Sequence, residues 1–338
     1  MATRAFICGC AGLELSPEDR AFIREAQPWG LILFRRNIDT PAQVAGLTAS
    51  FRDLAGRTDA PVLVDQEGGR VQRLGPPHWR KYPAAAAFRR LANDIEAQRS
   101  LVRLAARLMA HDLLALGITV DCLPVLDVPA PGGHGVIGDR AYADDPASVA
   151  MLGRAAAEGL MAGGVLPVMK HSPGHGRAAA DSHLELPVVS TPRAELEAAD
   201  FLPFRYLADL PMAMTGHVVY SAIDPKRPAT VSRKVMRDIV RGHIGYDGLV
   251  MTDDLSMKAL AGTFAQKTRA AFGAGVDMAL HCNGDIAEAC EVAAAAPLLR
   301  GAALRRAGAA LGRIRHLAEP LDVALANARL TEALAKPG

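Results

Sequence analysis

The sequence predicts a single-domain α/β fold, the (β/α)8 (TIM) barrel. Short apolar runs alternate with helix-forming segments along 338 residues, an ordinary length for one such barrel. Polar residues follow several of these runs directly, as they do at the carboxyl ends of barrel strands. A doubly wound open sheet is the structural alternative, but no Gly-x-Gly-x-x-Gly follows the first run, which removes its commonest dinucleotide-binding form.

The predicted strands are short, mostly apolar runs bounded by turn-forming or polar residues. In chain order they cover residues 4–10, 30–34, 61–64, 118–121, 165–169, 211–215, 248–252 and 276–280.

The helices between these strands carry recognisable capping residues. Ser16 and Thr40 each stand directly before a proline, which is preferred at the first helical position. Asp145 precedes a proline in the same way, and Ser232 caps a later helix. Beyond the first helix, which opens at residue 17, helices are expected at residues 41–54, 94–116, 146–163, 192–207, 232–242 and 263–274.

The carboxyl-terminal part predicts helix throughout. A long helix is expected after the eighth strand, with Leu304, Leu311 and Ile314 facing inward. About residues 318–338 are expected to form an alanine-rich helical extension packed on the outside of the barrel. The whole of residues 1–338 is therefore predicted to be one catalytic barrel domain.

Composition argues against several kinds of partner. The formal net charge of +2 gives no indication of nucleic-acid binding. No apolar run approaches the ~20 residues of a membrane span, and the run before Glu14 is too short for a signal peptide.

The odd number of cysteines, five, suggests a reducing compartment, hence the cytoplasm. Cys8 and Cys10 are interpreted as small buried residues of a strand rather than a metal or redox pair.

Residues able to bind anions or transfer protons follow four of the predicted strands. Asp65 follows the third, Lys170 and His171 the fifth, His217 the sixth and Asp253 the seventh. Because the carboxyl ends of barrel strands converge on one face, these side chains are expected to share a pocket.

Asp253 is the first of two adjacent carboxylates, and strand alternation lets at most one of them face that pocket. One interpretation makes the pair a turn cap and a solvated side chain. The strand-end position favours a nucleophile instead. A carboxylate in a sugar-sized pocket can attack an anomeric carbon and form a glycosyl ester.

Asp181 and His183 are two residues apart, so in an extended segment their side chains lie on the same side. Asp181 can then orient the ring of His183, and a histidine can protonate a leaving oxygen and later deprotonate water. An ordinary surface loop is the alternative. Nearby glycines and prolines would let this loop move, so His183 is expected to reach its working position on closure.

Five further side chains are candidates for holding a substrate. Carboxylates accept hydrogen bonds and cations donate them, so together they suit the hydroxyls of a sugar. Each could instead belong to a structural ion pair. The candidates are Asp65, Arg73, Arg140, Lys170 and His171.

Five segments, in this order and at suitable separations, resemble glycoside hydrolase family 3. They read VDQEGGRVQR, IGDR, KHSPGHG, DSH and TDDLSM, at residues 64–73, 137–140, 170–176, 181–183 and 252–257. More narrowly, they are similar to the single-domain bacterial β-N-acetylglucosaminidases of peptidoglycan recycling. The resemblance runs from about Phe6 to Asn283.

The resemblance implies a retaining β-N-acetylhexosaminidase with a covalent intermediate on Asp253. It implies that His183, paired with Asp181, is the general acid/base, which departs from the usual pair of carboxylates. The five candidates above would hold the N-acetylglucosamine ring. No cofactor and no metal is implied.

The implied substrate is a small muropeptide-derived molecule. It is N-acetylglucosamine β-1,4-linked to 1,6-anhydro-N-acetylmuramic acid, with or without the stem peptide. The implied setting is cytoplasmic peptidoglycan recycling, which bears on cell-wall biogenesis, cell shape and cell division. A monomer without nucleic-acid or membrane partners is expected.

Two departures from the family pattern concern the loop rather than the chemistry. Ser172 stands where phenylalanine is usual, and residues 177–180 differ from a polar, often threonine-bearing version. Both bear on loop dynamics and rate more than on the type of reaction.

Two other functions stay open at this point. One is a metal-dependent barrel hydrolase using His171, His175, His217 and Asp253, disfavoured because no histidine pair follows the first strand. The other is a non-catalytic sugar-binding barrel, which the intact Asp253, Asp181 and His183 argue against. Substrate-assisted hydrolysis, with the acetamido oxygen of the substrate as nucleophile, is an alternative within the same activity.

Overall fold

A computed structural model describes residues 3–91, 94–130, 132–133, 135–178, 180, 182, 184–314 and 317–335. Within that part of the chain, eight parallel strands close into a barrel in which each strand pairs with its neighbours in sequence and the last pairs with the first. Helices follow the strands and cover the outside. The (β/α)8 prediction is confirmed.

The strands lie where the apolar runs predicted them, with shifted ends. They are β1 (Arg4–Cys8), β2 (Pro28–Leu33), β3 (Val62–Val64), β4 (Val120–Asp121), β5 (Leu166–Ser172), β6 (Met212–Thr215), β7 (Leu249–Asp254) and β8 (Met278–His281). Two small two-stranded sheets lie outside the barrel. One is an antiparallel hairpin of Gln66–Gly68 with Val71–Gln72, and the other pairs Val188–Val189 with Val219–Tyr220 in parallel.

Two of the strand ends bear on the site. β5 runs to Ser172, three residues beyond the predicted end, so Lys170 and His171 belong to the strand itself. β7 likewise runs on through Asp254, and its pairing with β8 shifts register between Met251 and Asp254.

Ser16, Thr40 and Asp145 cap helices as predicted, and the Ser232 hydroxyl accepts the Val235 amide at 3.2 Å at the start of a π-helix. The single helix expected at residues 192–207 is instead two short helices. The Ser16 hydroxyl accepts a hydrogen bond from the Asp19 amide at 3.0 Å, and the Asp19 carboxylate accepts one from the Ser16 amide at 2.9 Å. The helices span Pro17–Ala26, Pro41–Ala55, Phe88–Leu91, Ile95–Ala115, Pro146–Ala162, Arg193–Ala198, Leu202–Tyr206, Val235–His243, Phe264–Ala274, Ile286–Ala295, Gly301–Leu311 and Val323–Ala335, with 3-10 turns at Arg35–Asn37, Ala85–Ala87, Gly138–Arg140 and Ala229–Val231.

The segment after β8 differs from the single long helix that was predicted. It breaks between Ala295 and Gly301, where Pro297 lacks the amide hydrogen that a continuing helix needs. Leu304 was expected to face inward but is 53% exposed, so that prediction is wrong. Leu311 and Ile314 do pack against the core.

Alternation along the strands divides the core into an inner and an outer layer. Ile7, Ile32, Leu63, Val120 and Val168 are buried in one cluster, which fills the barrel. The intervening strand residues pack against the helices, and the helix Val323–Ala335 packs outside them against Ile95–Ala115. Within the described chain, no helix is both long and apolar enough to cross a membrane.

Candidate active site

A pocket of about 400 Å³ lies at the carboxyl ends of the barrel strands. It is lined by apolar side chains, among them Phe34, Met214 and Met257, together with charged groups from several strands. The side chains named from the sequence that line it are Asp65, Arg73, Arg140, Lys170, His171 and Asp253. The expectation that strand-end residues share one pocket therefore holds for Asp65, Lys170, His171 and Asp253. It is wrong for His217, which is fully buried and does not line this pocket.

Lys170 and Asp65 form a buried ion pair in the wall of the pocket. The Lys170 Nζ atom lies 2.8 Å from Asp65 Oδ1, and Arg73 Nη2 donates to Asp65 Oδ2 at 2.9 Å. The Arg73 guanidinium also lies over the Phe34 ring, 5.0 Å from its centre. Burial opposes ionisation of Asp65, but Lys170 and Arg73 outweigh it and hold the pKa of Asp65 well below its usual range.

Glu67 continues this network, although the sequence had given it no role. Its Oε1 atom lies 2.7 Å from Lys170 Nζ, and the Arg140 guanidinium binds both Glu67 carboxylate oxygens at 2.8 Å. The pKa of Glu67 is lowered because Lys170 and Arg140 outweigh its burial. One signal was available: Glu67 stands two residues after Asp65, which in an extended segment puts both side chains on one side.

A tight hairpin after β3 places these carboxylates. The Gln66 Oε1 atom accepts hydrogen bonds from the Arg73 and Leu74 amides at 3.1 Å, which closes the turn. Gly68 has a φ of +93°, and a Cβ there would lie 2.3 Å from the Pro83 carbonyl oxygen. Only glycine fits that position.

His171 is held by a second residue that the sequence analysis missed, Asp127. The Asp127 Oδ2 atom lies 2.6 Å from His171 Nδ1, and its Oδ1 atom accepts the backbone amides of His171 and His175. Burial opposes ionisation of Asp127, but His171 and His175 keep its pKa low. An ionised carboxylate only accepts, so Nδ1 of His171 carries a proton. The peptide bond between Lys170 and His171 is cis.

Asp253 and Asp254 both line the pocket, which corrects the expectation that only one would face it. The register shift in β7 interrupts the alternation on which that expectation rested. The Asp254 amide donates to Asp253 Oδ1 at 2.8 Å. The Asp254 carboxylate accepts from the Ser256 and Cys282 amides at 3.0 and 3.1 Å and from the Ser256 hydroxyl.

Asp181 and His183, the predicted acid/base pair, lie outside the described residues. Ser182, between them in the sequence, is buried, and its hydroxyl lies 3.1 Å from His175 Nε2. Its carbonyl accepts the Ala259 amide at 3.3 Å, in the loop that follows Asp253. Burial, with His171 nearby, lowers the pKa of His175 to about 4.

The geometry does not favour the metal-dependent alternative. Across the described ranges, no group of three or more His, Cys, Asp or Glu side chains is arranged to hold a metal ion. Of the four proposed ligands, His171 is paired with Asp127, His175 contacts Ser182, and His217 contacts Thr230 and the Asp254 carbonyl.

Comparison with known proteins gives concordant matches. Residues 10–307 match the glycosyl hydrolase family 3 N-terminal domain. The chain is 44% identical to a β-hexosaminidase of Alkalilimnicola ehrlichii over 81% of this chain and 79% of that protein. It is 41% identical to one of Methylococcus capsulatus over 90% of each chain.

Among solved structures, NagZ of Neisseria gonorrhoeae in complex with N-trifluoroacetyl-D-glucosamine superposes with a TM-score of 0.88. The match covers 99% of both chains at 31% sequence identity.

Proposed function

Since the chain belongs to glycosyl hydrolase family 3 and is a glycoside hydrolase of the β-hexosaminidase kind, we propose that it releases terminal β-1,4-linked N-acetylglucosamine from peptidoglycan fragments. The reaction retains anomeric configuration and passes through a glycosyl ester on Asp253. The observation that carries this proposal is the position of Asp253 in one pocket with Asp65, Arg73, Arg140 and Lys170.

The charged network suits a sugar ring bound at the −1 position. Arg73, Arg140 and Lys170 are donors, and Asp65 and Glu67 are acceptors, already fixed by mutual ion pairs. Groups held in place before binding lose little freedom when the sugar arrives. His171, fixed by Asp127, supplies a further polar contact. The apolar pocket residues, such as Met214 and Met257, suit the less polar faces of the ring.

In the first step the Asp253 carboxylate attacks the anomeric carbon, and the bond from that carbon to the leaving oxygen breaks. His183, held by Asp181, donates its proton to the leaving oxygen. The products are a glycosyl ester on Asp253 and the released alcohol, with His183 neutral.

In the second step water attacks the anomeric carbon while His183 removes a proton from that water. The ester bond breaks and Asp253 leaves as a carboxylate. Two displacements at one carbon restore the original configuration. His183 is again protonated, so every group returns to its starting state.

The preferred aglycone is 1,6-anhydro-N-acetylmuramic acid, with or without the stem peptide, and the setting is cytoplasmic peptidoglycan recycling. The likeness to β-hexosaminidases and to a structure holding an N-acylated glucosamine supports N-acetylglucosamine as the sugar released. The aglycone and the setting rest on the resemblance of the five sequence segments alone. Residues 1–338 act as one catalytic domain, in which about residues 318–338 are an extension. The protein acts as a monomer.

The deciding assay is hydrolysis of an aryl N-acetyl-β-glucosaminide by the wild type and Asp253→Ala. The wild type should release the phenol and the variant should be slower by orders of magnitude. Asp59→Ala is a matched control, because Asp59 is exposed in the loop before β3, at the opposite end of the barrel. A wild type that binds N-acetylglucosamine without cleaving the glycoside would show a sugar-binding protein instead.

A further inference from the structure

His217 follows β6 and is fully buried beside the end of β7, yet the proposed reaction gives it no role. Its Nε2 atom lies 3.0 Å from the Asp254 carbonyl oxygen. Its Nδ1 atom lies 2.7 Å from Thr230 Oγ1, which in turn lies 2.8 Å from Thr215 Oγ1. The chain of contacts thus runs from β6 to the residue after the proposed nucleophile.

The direction of each hydrogen bond in this chain follows from its chemistry. A carbonyl oxygen only accepts, so Nε2 of His217 carries a proton. Burial lowers the pKa of His217, although Asp253 opposes this, so the ring is neutral and Nδ1 is an acceptor. Thr230 must then donate to Nδ1 and accept from Thr215. The Gly216 carbonyl competes for the Thr230 proton only at 3.3 Å.

Asp254 is held from several sides, and it in turn holds Asp253. His217 fixes its carbonyl, while the Ser256 and Cys282 amides fix its carboxylate. The Asp254 amide donates to Oδ1 of Asp253 at 2.8 Å. The backbone of Asp254 therefore contributes to the orientation of the Asp253 carboxylate.

We propose that His217, oriented by Thr230 and Thr215, is a positioning residue that sets the attack angle of the Asp253 carboxylate. This inference rests on the proposed role of Asp253 as nucleophile. The sugar is bound by a separate set of side chains, Asp65, Glu67 and Lys170 among them. Loosening Asp254 should consequently lower kcat and leave KM nearly unchanged.

Paired variants separate positioning from packing. In His217→Gln the amide nitrogen reaches the place of Nε2 and keeps the donor to the Asp254 carbonyl. In His217→Asn the amide is too short to reach it. Thr230→Val removes the donor to Nδ1 at nearly constant volume. Thr48→Val is the matched control. Thr48 is also a buried threonine, but its hydroxyl donates to the carbonyl of Leu116, at the end of the helix Ile95–Ala115.

The experiment measures kcat and KM on the aryl glucosaminide and the rate of ester formation with a slow fluorinated substrate. We expect about a 10- to 100-fold fall in both rates for His217→Asn and about 10-fold for Thr230→Val, because small misplacements of a reacting group cost this much. His217→Gln should recover most of the rate, and Thr48→Val should match the wild type.

The inference would be overturned if Thr230→Val and His217→Asn reacted at rates within twofold of Thr48→Val. It would also be overturned if these variants changed KM and left kcat unchanged. Should His217→Asn fail to fold, as judged by its thermal melt, the comparison of Thr230→Val with Thr48→Val decides. A wild-type ester located elsewhere than Asp253 would instead overturn the proposed function. An ester on Asp253 formed at undiminished rate in the variants would contradict the positioning role alone.

Discussion

The Nζ atom of Lys170 lies 2.7 Å from the Oε1 atom of Glu67, and this contact joins the two halves of the pocket's charged network. On one side Lys170 binds Asp65, which also binds Arg73; on the other, Glu67 binds Arg140. Three cations and two carboxylates are thereby fixed in the pocket that Asp253 also lines. The pocket is organised before any sugar enters it.

Glu67→Gln should weaken both stability and sugar binding. The change leaves Lys170 and Arg140 buried beside a neutral group, and removing one partner of a buried ion pair costs about 3–5 kcal/mol. Urea unfolding should show a loss of that order, and KM on the aryl glucosaminide should rise. Glu96→Gln is the control, because its pair with Arg99 is on the surface and such pairs are worth about 0–1 kcal/mol. Equal losses for the two variants would contradict the account.

His175 should make the protein less stable in mild acid. Its pKa falls from an ordinary 6.5 to about 4 on folding, so between these values the unfolded chain binds the proton and the folded chain does not. The stabilisation is present above about pH 6.5 and is lost as the pH falls toward 4, by about 3 kcal/mol at most.

The measurement is the free energy of unfolding from urea titrations at pH 4.5 and pH 7. The free energy of unfolding should differ less between pH 4.5 and pH 7 in His175→Gln than in the wild type, because glutamine cannot take up a proton. His78→Gln, at an exposed position, provides the comparison. An identical pH difference in wild type and His175→Gln would show that His175 contributes nothing to it.

His183→Ala should slow hydrolysis about 10²–10⁴-fold, the usual contribution of a general acid/base. The loss should be smaller for glycosides with very good leaving groups, which need little protonation. Steady-state rates on a series of aryl glucosaminides measure this dependence. The same loss across the whole series would exclude proton donation by His183.

Chelation should leave the activity intact. The proposed steps use a carboxylate and a histidine, and the described residues offer no three-ligand group for a metal. Dialysis against EDTA followed by the aryl glucosaminide assay tests this. Stoichiometric zinc in the purified protein, with activity lost on its removal, would favour the metal-dependent alternative.

The barrel and much of the pocket could be predicted because both follow from local patterns. Apolar runs marked all eight strands, and polar residues after them marked Asp65, Lys170, His171 and Asp253. Ser16 and Thr40 marked helix starts through capping, which depends only on nearby residues.

The parts that could not be predicted depend on contacts between distant segments. Glu67 acquires its role through Lys170 and Arg140, and Asp127 through the turn after β5. The bulge that turns both Asp253 and Asp254 toward the pocket arises from pairing with β8. Leu304 was misassigned because helical periodicity does not show which face a neighbouring element covers.

The most direct test of the central claim is to trap the enzyme with a fluorinated slow substrate, measure its intact mass and map the labelled peptide. We expect one added sugar, in ester linkage to Asp253, and no adduct in Asp253→Ala. An unmodified protein under conditions that stall turnover, as substrate-assisted attack by the acetamido oxygen would give, would contradict it. So would a sugar attached to any other residue.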